Sequence, residues 1–315
     1  MTVCIAAIYN NNAILGASDR MVTGGYGDIT FEPTETKILK LTNSIAVMTA
    51  GDQSIQIQVY QEASKVIEER IKAEPSNWIK ISDAADIYSK CFYGLRNKKI
   101  ESQILSQYNL TFESFIEKQK NMDQVFINII TNKIDRFLNN LENIATVVAG
   151  IDSDGPHIYV VENGKISCHD KLGFVSIGIG RDHAISHFMF SGYSRSCTES
   201  KALLTIHQAK KKSEVSPGVG KATDMCVIGP KLGSFSMISE PIFTKPIIKD
   251  LDKFYQEYRN KIEKLDKKTE EKIKDYLDKL STPPILIQEA NPPSITVPSS
   301  IPVLTKKVKS KNKSK

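Results

Sequence analysis

The sequence has no long apolar run, no cysteine framework and no basic leader segment. No stretch approaches the ~20 consecutive apolar residues that a membrane-spanning helix needs, and the N-terminus lacks a basic region followed by an apolar core. The five cysteines are odd in number, far apart and without paired spacing, which indicates a reducing compartment rather than disulfides or a zinc site. We therefore expect a cytoplasmic protein without a membrane partner, a metal or a cofactor.

The net charge of +6 is concentrated at the C-terminus. Residues 306–315 contain six lysines and no acid, so the rest of the chain is close to neutral. A nucleic-acid-binding function would depend on this segment alone, with no basic patch on a folded domain behind it, and the sequence does not favour it. The composition, 40% hydrophobic and 25% charged, is typical of a soluble globular protein.

A predicted β-strand begins almost at the first residue and reads Met1-Thr2-Val3-Cys4-Ile5-Ala6-Ala7-Ile8. Removal of Met1, which a small second residue permits, would leave Thr2 with a hydroxyl nucleophile and a free α-amine as its base. An α-amine has an unperturbed pKa of roughly 7.7–8.0, so much of it can accept a proton near neutrality. Many proteins begin with Met-Thr, and an ordinary first strand is the alternative interpretation.

Two later segments bring charged residues toward Thr2. The asparagine cluster at 10–12 and the strand at 13–20 predict a β-hairpin with Asp19 at its far end, beside Thr2. The strand at 36–41 places Lys37 on the face opposite its neighbour, where the ammonium can reach Asp19 and the terminal amine. The sequence therefore predicts a cluster of Thr2, Asp19 and Lys37.

Five short motifs follow one another over roughly residues 2–230. They are Gly16-Ala17-Ser18-Asp19-Arg20 with Thr23 and Gly25, Lys37-Ile38-x-x-Leu41, Ala50-Gly51-Asp52, Ala149-Gly150-Ile151-Asp152-x-x-Gly155-Pro156-His157-Ile158-Tyr159, and Ile177-Gly178-Ile179-Gly180. In order and spacing the chain resembles the β-type subunits of the proteasome, the HslV protease and the Anbu-type proteins. These are N-terminal-nucleophile (Ntn) hydrolases with a threonine nucleophile.

The resemblance implies a catalytic role for four residues. Thr2 would be the nucleophile, with its own amine as the base. Asp19 and Lys37 would orient that pair, and the charge of Lys37 would lower the pKa of both the amine and the hydroxyl. The backbone N–H of Gly51 would stabilise the oxyanion that develops during acyl transfer.

The same resemblance implies binding and supporting residues. Thr23 and Thr49 would bind substrate, with Thr23 lining the channel and pairing with an extended peptide through main-chain hydrogen bonds. Gly178, Gly180 and Ser216 would support the nucleophile.

The sequence departs from the family's pattern at three places. The interval from Thr2 to Asp19 is one residue longer than usual, and unless the asparagine turn absorbs it, the slip would turn Thr2 to the other face of the sheet. Where the family has Gly-Ser-Gly near the nucleophile, this chain has Ile179 between the glycines. The family's Asp-x-x-Ser-Gly corresponds to residues 213–218, in which Ser216 matches the serine but the aspartate is missing or displaced.

The predicted elements run strands, two helices, strands, two helices and a strand, an order that a four-layer αββα sandwich of the α+β class satisfies. We predict one domain at 1–240, in which 98–143 is an elaboration that serves either as a subunit contact or as a surface feature. An amphipathic helix follows at 241–281, with its pattern broken at Thr269. Residues 282–315, rich in Pro and Ser and then in Lys, are predicted to be disordered.

Four helix starts carry candidate N-cap residues. Asp52, Ser82, Thr111 and Thr198 each precede a segment with apolar residues at helical spacing. The turn at 152–155 reads as a β-hairpin in preference to a cation-binding loop.

These features together predict a threonine-type peptidase or amidase that forms an acyl-enzyme on Thr2 and acts on a peptide or protein substrate. The resemblance implies a self-compartmentalised, homo-oligomeric ring, to which an unfoldase or another protein could bind through the C-terminal helix or tail. One alternative is a catalytically inactive, ring-forming structural subunit of the same fold, suggested by Ile179 and the altered segment 213–216. Another is a binding protein that acts through its C-terminal helix.

Overall fold

The computed structural model describes residues 2–24, 29–74, 78–140, 144–238 and 247–281. The protein is a mixed α/β structure, and helices make up the larger share. Its contacts divide the chain into a large unit that ends at Arg259 and a second unit that begins at Asn260. The predicted boundary at residue 240 lies outside the described residues, and the division falls within a helix.

Within the described residues, the β structure consists of two five-stranded antiparallel sheets and a two-stranded ribbon. The first sheet contains β1 (Cys4–Tyr9), β2 (Ala13–Ser18), β10 (Phe174–Ile177), β11 (Asp224–Ile228) and β12 (Phe235–Met237), in the order β10-β1-β2-β11-β12. The second contains β5 (Ile38–Lys40), β6 (Ile45–Ala50), β7 (Ala145–Asp152), β8 (Gly155–Glu162) and β9 (Lys165–Cys168), in chain order. The ribbon pairs β3 (Val22–Gly24) with β4 (Ile29–Phe31). Sequence reasoning missed β3, β4 and β12.

Seven α-helices lie in the described part of the chain. They are α1 (Gln53–Ala73), α2 (Ile81–Gln103), α3 (Phe112–Lys118), α4 (Gln124–Asn140), α5 (Arg181–Phe190), α6 (Glu199–Ser213) and α7 (Ile247–Ser281). Asp52, Thr111 and Thr198 cap α1, α3 and α6 as predicted, each accepting a backbone N–H of the first turn. The Ser82 cap is wrong, because α2 begins at Ile81 and the Asp152 carboxylate accepts the Ile81 N–H at 2.9 Å.

The two sheets share one apolar core. Its residues come from both sheets and include Cys4, Ala6, Ile8, Met48, Val147, Ile158 and Cys226. The other face of the first sheet packs against α5 and α6, and the other face of the second against α1 and α2. Because β1 is covered on both faces, its six residues are all buried and the strand is apolar throughout instead of alternating.

The elaboration at 98–143 has a small core of its own. The end of α2, a 3-10 turn at Leu105–Tyr108, α3 and α4 pack around Leu105, Phe115 and Ile130. In its described part, 98–140, the segment contributes no strand to either sheet.

Helix α7 continues through Thr269, which interrupts the apolar pattern but not the helix, since its hydroxyl bonds back to the Leu265 carbonyl at 3.0 Å. Its first turns join the large unit, where Leu251 is buried and Asp252 contacts His207 at 3.0 Å. The predicted disordered tail, 282–315, lies outside the described residues. No helix in the described ranges has the length and apolar content needed to cross a bilayer.

Candidate active site

Thr2 lies buried at the entrance to β1, between two charged side chains. Its hydroxyl donates to Asp19 Oδ1 and accepts from the Lys37 ammonium. Lys37 Nζ also lies 3.0 Å from Asp19 Oδ1 and donates to the Met21 carbonyl at 2.5 Å. The structure thus brings together the three residues that the sequence placed in one cluster.

The β1–β2 hairpin is what sets Asp19 beside Thr2. Cys4 pairs with Ser18, and the Asp19 N–H donates to the Val3 carbonyl at 3.2 Å. Asn10 and Asn11 both take positive φ, 49° and 56°, a conformation that asparagine tolerates better than most residues. The Thr2 hydroxyl faces Asp19 and Lys37, so the register slip that would turn it to the other face of the sheet does not occur.

The Asp19 carboxylate is fully buried and well supplied with donors. Oδ1 accepts from the Val3 N–H at 2.9 Å, and Oδ2 accepts from the N–H groups of Met21 at 3.0 Å and Gly220 at 2.9 Å. A buried charge is tolerated when it is paired and hydrogen-bonded in this way. These contacts fix the carboxylate in one position beneath the Thr2 hydroxyl.

Two of the predicted supporting residues hold the Thr2 backbone. The Gly180 N–H donates to the Thr2 carbonyl at 3.2 Å. Gly178 has φ of 88°, and a Cβ at this position would lie 2.3 Å from the Thr2 carbonyl oxygen, so only glycine fits. Ile179 between them is half-exposed.

Ser216, the third predicted supporting residue, does not hold the Thr2 backbone in the described structure as Gly178 and Gly180 do. It is buried in the loop after α6, where its N–H donates to the Ser213 carbonyl at 3.0 Å. In the described part of the chain no hydrogen bond joins Ser216 to Thr2, Asp19 or Lys37. Ser213 is the serine that reaches the glycine segment, through a 3.0 Å bond from its hydroxyl to the Gly180 carbonyl.

Sequence reasoning missed a buried lysine that secures the same loop. Lys210 Nζ contacts Glu214 Oε1 at 2.6 Å and donates to the carbonyls of Gly220 and Lys221 at 2.8 and 2.9 Å. Burial lowers the pKa of Lys210, and the Glu214 carboxylate opposes that effect. The signal was present in the sequence, because Lys210 lies four residues after Ile206, on the buried side of α6.

A second missed pair fastens the end of β2 to the start of β11. Arg20 makes a bidentate contact with the buried Asp224, at 2.9 and 2.6 Å. The hydrogen bonds that Arg20 donates to Asp224 raise the pKa of Arg20 above its ordinary value. This pair steadies the residue next to Asp19.

Thr2 opens into a cleft of about 1070 Å³. The lining includes the remaining predicted residues, namely Thr23 from β3, Thr49 from β6, and Gly51. Gly51 follows β6 with φ of 108°, a conformation that favours glycine. The cleft therefore has the hydroxyl, the ammonium and the candidate binding residues on one continuous surface.

Cys4 is the other nucleophilic side chain near the site, and its environment makes it unreactive. The thiol is fully buried in the core between the sheets, and this burial raises its pKa to about 12. The thiolate is the reactive form of cysteine, so burial disfavours attack by Cys4. Of the two side chains, Thr2 is the one that lines the cleft.

A hydroxyl held between an ammonium and a carboxylate can lose its proton to a nearby base, because the positive charge stabilises the oxyanion that results.

The described residues contain no group of three or more His, Cys, Asp or Glu side chains that could hold a metal ion. Met1 and Gly25, which the sequence interpretation also used, lie outside the described residues.

Comparison with protein-family models and with curated proteins found no match.

Proposed function

We propose that this protein is a threonine-type Ntn hydrolase, a peptidase or amidase similar in class to the proteasome β-type subunits. The observation that carries the proposal is the contact of the Thr2 hydroxyl with both Lys37 and Asp19 at the base of an open cleft. A hydroxyl alone is a weak nucleophile and needs such neighbours to become reactive.

The proposed reaction requires Thr2 to carry a free α-amine, and hence the removal of Met1. The amine takes the hydroxyl proton as Oγ1 attacks the substrate carbonyl carbon, and the Gly51 N–H stabilises the oxyanion. The C–N bond of the substrate then breaks, and the leaving amine departs with that proton. Water hydrolyses the ester on Thr2 and restores the enzyme.

The finer fold assignment belongs to the same proposal. An Ntn hydrolase of this class is a four-layer αββα sandwich, and the packing of α1 with α2 and of α5 with α6 on the outer faces of two sheets that share a core supports it. The substrate would be an extended peptide bound along Thr23 and Thr49. We further propose a homo-oligomeric ring, which would enclose the cleft and restrict access to it.

A second candidate is an inactive, ring-forming subunit of the same fold. The observation that favours it is Ile179, which is half-exposed where the resemblance would place a serine near the nucleophile. The two candidates differ at the N-terminus, because the amine can act as the base only after Met1 is removed.

The test is the intact mass and N-terminal sequence of the purified protein, before and after exposure to a peptide epoxyketone that bonds to an N-terminal threonine. The proposal predicts a chain that begins at Thr2 and gains the mass of the probe. A chain that retains Met1 would exclude the amine as base and favour the inactive subunit.

Matched variants assign the reacting residue. Thr2→Ala should abolish labelling and lower peptide hydrolysis by about 10⁴-fold or more, since members of a catalytic unit act together. Lys37→Met should cost nearly as much. Thr131→Ala is the control, because Thr131 is exposed on α4, and it should label normally. Undiminished turnover in Thr2→Ala would eliminate Thr2 as the nucleophile.

A further inference from the structure

Helix α7 carries a long, exposed apolar stripe. Over its second half the stripe consists of Ile262, Leu265, Ile273, Tyr276 and Leu280, which are between 38% and 64% exposed. Single exposed apolar residues are ordinary on a protein surface, but a contiguous row of them marks an interaction site.

The stripe follows an 11-residue repeat. Ile262 corresponds to Ile273, Leu265 to Tyr276, and Thr269 to Leu280, so that the spacing is three, four and four residues. Eleven residues in three turns are about 3.67 per turn, which is close to the 3.6 of an undistorted helix. The stripe therefore runs nearly straight along the helix, as a seam between paired helices does.

The two flanks of the stripe carry opposite charges. At 100° per residue, one flank holds four lysines with one acid at its outer margin, and the other holds three acids with one lysine at its outer margin. The basic flank is Lys261, Lys268, Lys272 and Lys279, with Asp275 beyond them, and the acidic flank is Glu263, Asp266 and Glu270, with Lys274 beyond them. Glu263 contacts Lys267 of its own helix at 3.6 Å, an exposed pair that a lysine of a second helix could replace.

We propose that α7 pairs in parallel with α7 of a second copy of this chain. Two parallel helices related by a two-fold axis place the basic flank of each against the acidic flank of the other, on both sides of the apolar seam. An antiparallel pair would set lysines against lysines and acids against acids. The charge pattern thus specifies both the partner and its direction. This pairing is independent of any chemistry at Thr2.

Disulfide crosslinking tests whether the two α7 helices are parallel. Leu280→Cys, in a full-length chain with Cys91, Cys168 and Cys197 replaced by serine, should crosslink to itself under mild oxidation, since equal positions face each other only in a parallel pair. The control is Glu271→Cys, which lies on the opposite face of α7. Absence of the Leu280→Cys crosslink, or equal yields from both positions, would overturn the proposal.

Two further variants test the seam and its charges. Leu265→Gln with Ile273→Gln should weaken self-association of the full chain by about 100-fold, because both positions lie at the centre of the contact. The control, Lys264→Gln with Glu271→Gln, alters the opposite face without changing the net charge and should have no effect. Sedimentation and crosslinking yield provide the two readouts.

Charge reversal makes the pairing specific. A chain with Lys268→Glu and Lys272→Glu, and a second with Glu263→Lys and Glu270→Lys, should each fail to self-associate. Their mixture should pair, because every flank then faces its opposite. Binding of α7 to anionic vesicles without crosslinking, or reversal variants that pair as well as the native chain, would replace the second copy with a different occupant.

Discussion

Gly178 packs against the backbone of Thr2, the proposed nucleophile, and contributes no side chain of its own. Its φ of 88° is unfavourable for any other residue, and a Cβ there would lie 2.3 Å from the Thr2 carbonyl oxygen and 2.8 Å from Thr2 Cγ2. We predict that Gly178→Ala displaces Thr2 from Lys37 and Asp19.

The cost has two parts. A left-handed conformation costs a residue with a Cβ about 1–2 kcal/mol, and an overpacked buried contact costs about 1–3 kcal/mol more. We therefore expect Gly178→Ala to lose about 2–5 kcal/mol of unfolding free energy. The displacement should also abolish labelling of Thr2 by the epoxyketone, even in the fraction that remains folded.

A second glycine, Gly192, distinguishes the cost of the backbone conformation from the cost of the contact that a new Cβ would make. Gly192 also has a positive φ, 58°, but a Cβ there would meet nothing within 4 Å. Gly192→Ala should thus cost only the conformational part, about 1–2 kcal/mol, and leave labelling intact. Urea unfolding and the labelling rate measure both variants. Equal stability losses together with unchanged labelling in Gly178→Ala would refute the conclusion that this glycine positions Thr2.

Two further predictions concern buried charge. Burial, together with the charge of Lys212, lowers the pKa of His187 to about 4. Because the folded protein disfavours protonation of this imidazole, the free energy of unfolding should fall by at most about 3 kcal/mol as the pH drops from about 6.5 toward 4. Urea unfolding across this range measures the loss; His187→Gln should flatten it, and an unchanged slope would contradict the assignment. Lys210→Met should cost about 1–3 kcal/mol, because it removes the nearer of the two cations that contact Glu214, with Lys211 remaining at 3.3 Å, and the donor to the Gly220 and Lys221 carbonyls. Lys210→Met with Glu214→Gln should recover part of that loss in the same assay. No recovery would mean that the ion pair is not the source.

Local patterns predicted most elements because they depend on neighbours in the sequence. Thr198 caps α6 because its side chain reaches the N–H of Lys201, three residues away. The hairpin that joins Thr2 to Asp19 was predictable for the same reason, since a short turn fixes which residues lie opposite each other. Ser82 was a wrong cap because Asp152, distant in sequence, takes that place.

The residues of the candidate site also differ in whether their contacts are local in sequence or distant. Strand order and a hairpin turn are enough to bring Thr2, Asp19 and Lys37 near one another, so local pattern predicted this cluster, whereas Gly51, Gly178 and Gly180 were predicted from the resemblance alone. The folded domain added that the Gly220 N–H supports Asp19, that Lys210 secures the Gly220 loop and that Ser213 rather than Ser216 reaches Gly180. The Gly220–Asp19 and Ser213–Gly180 contacts join α6 and its loop to segments far away in the chain, and no local pattern encodes a hydrogen bond between segments that meet only when the whole domain has folded.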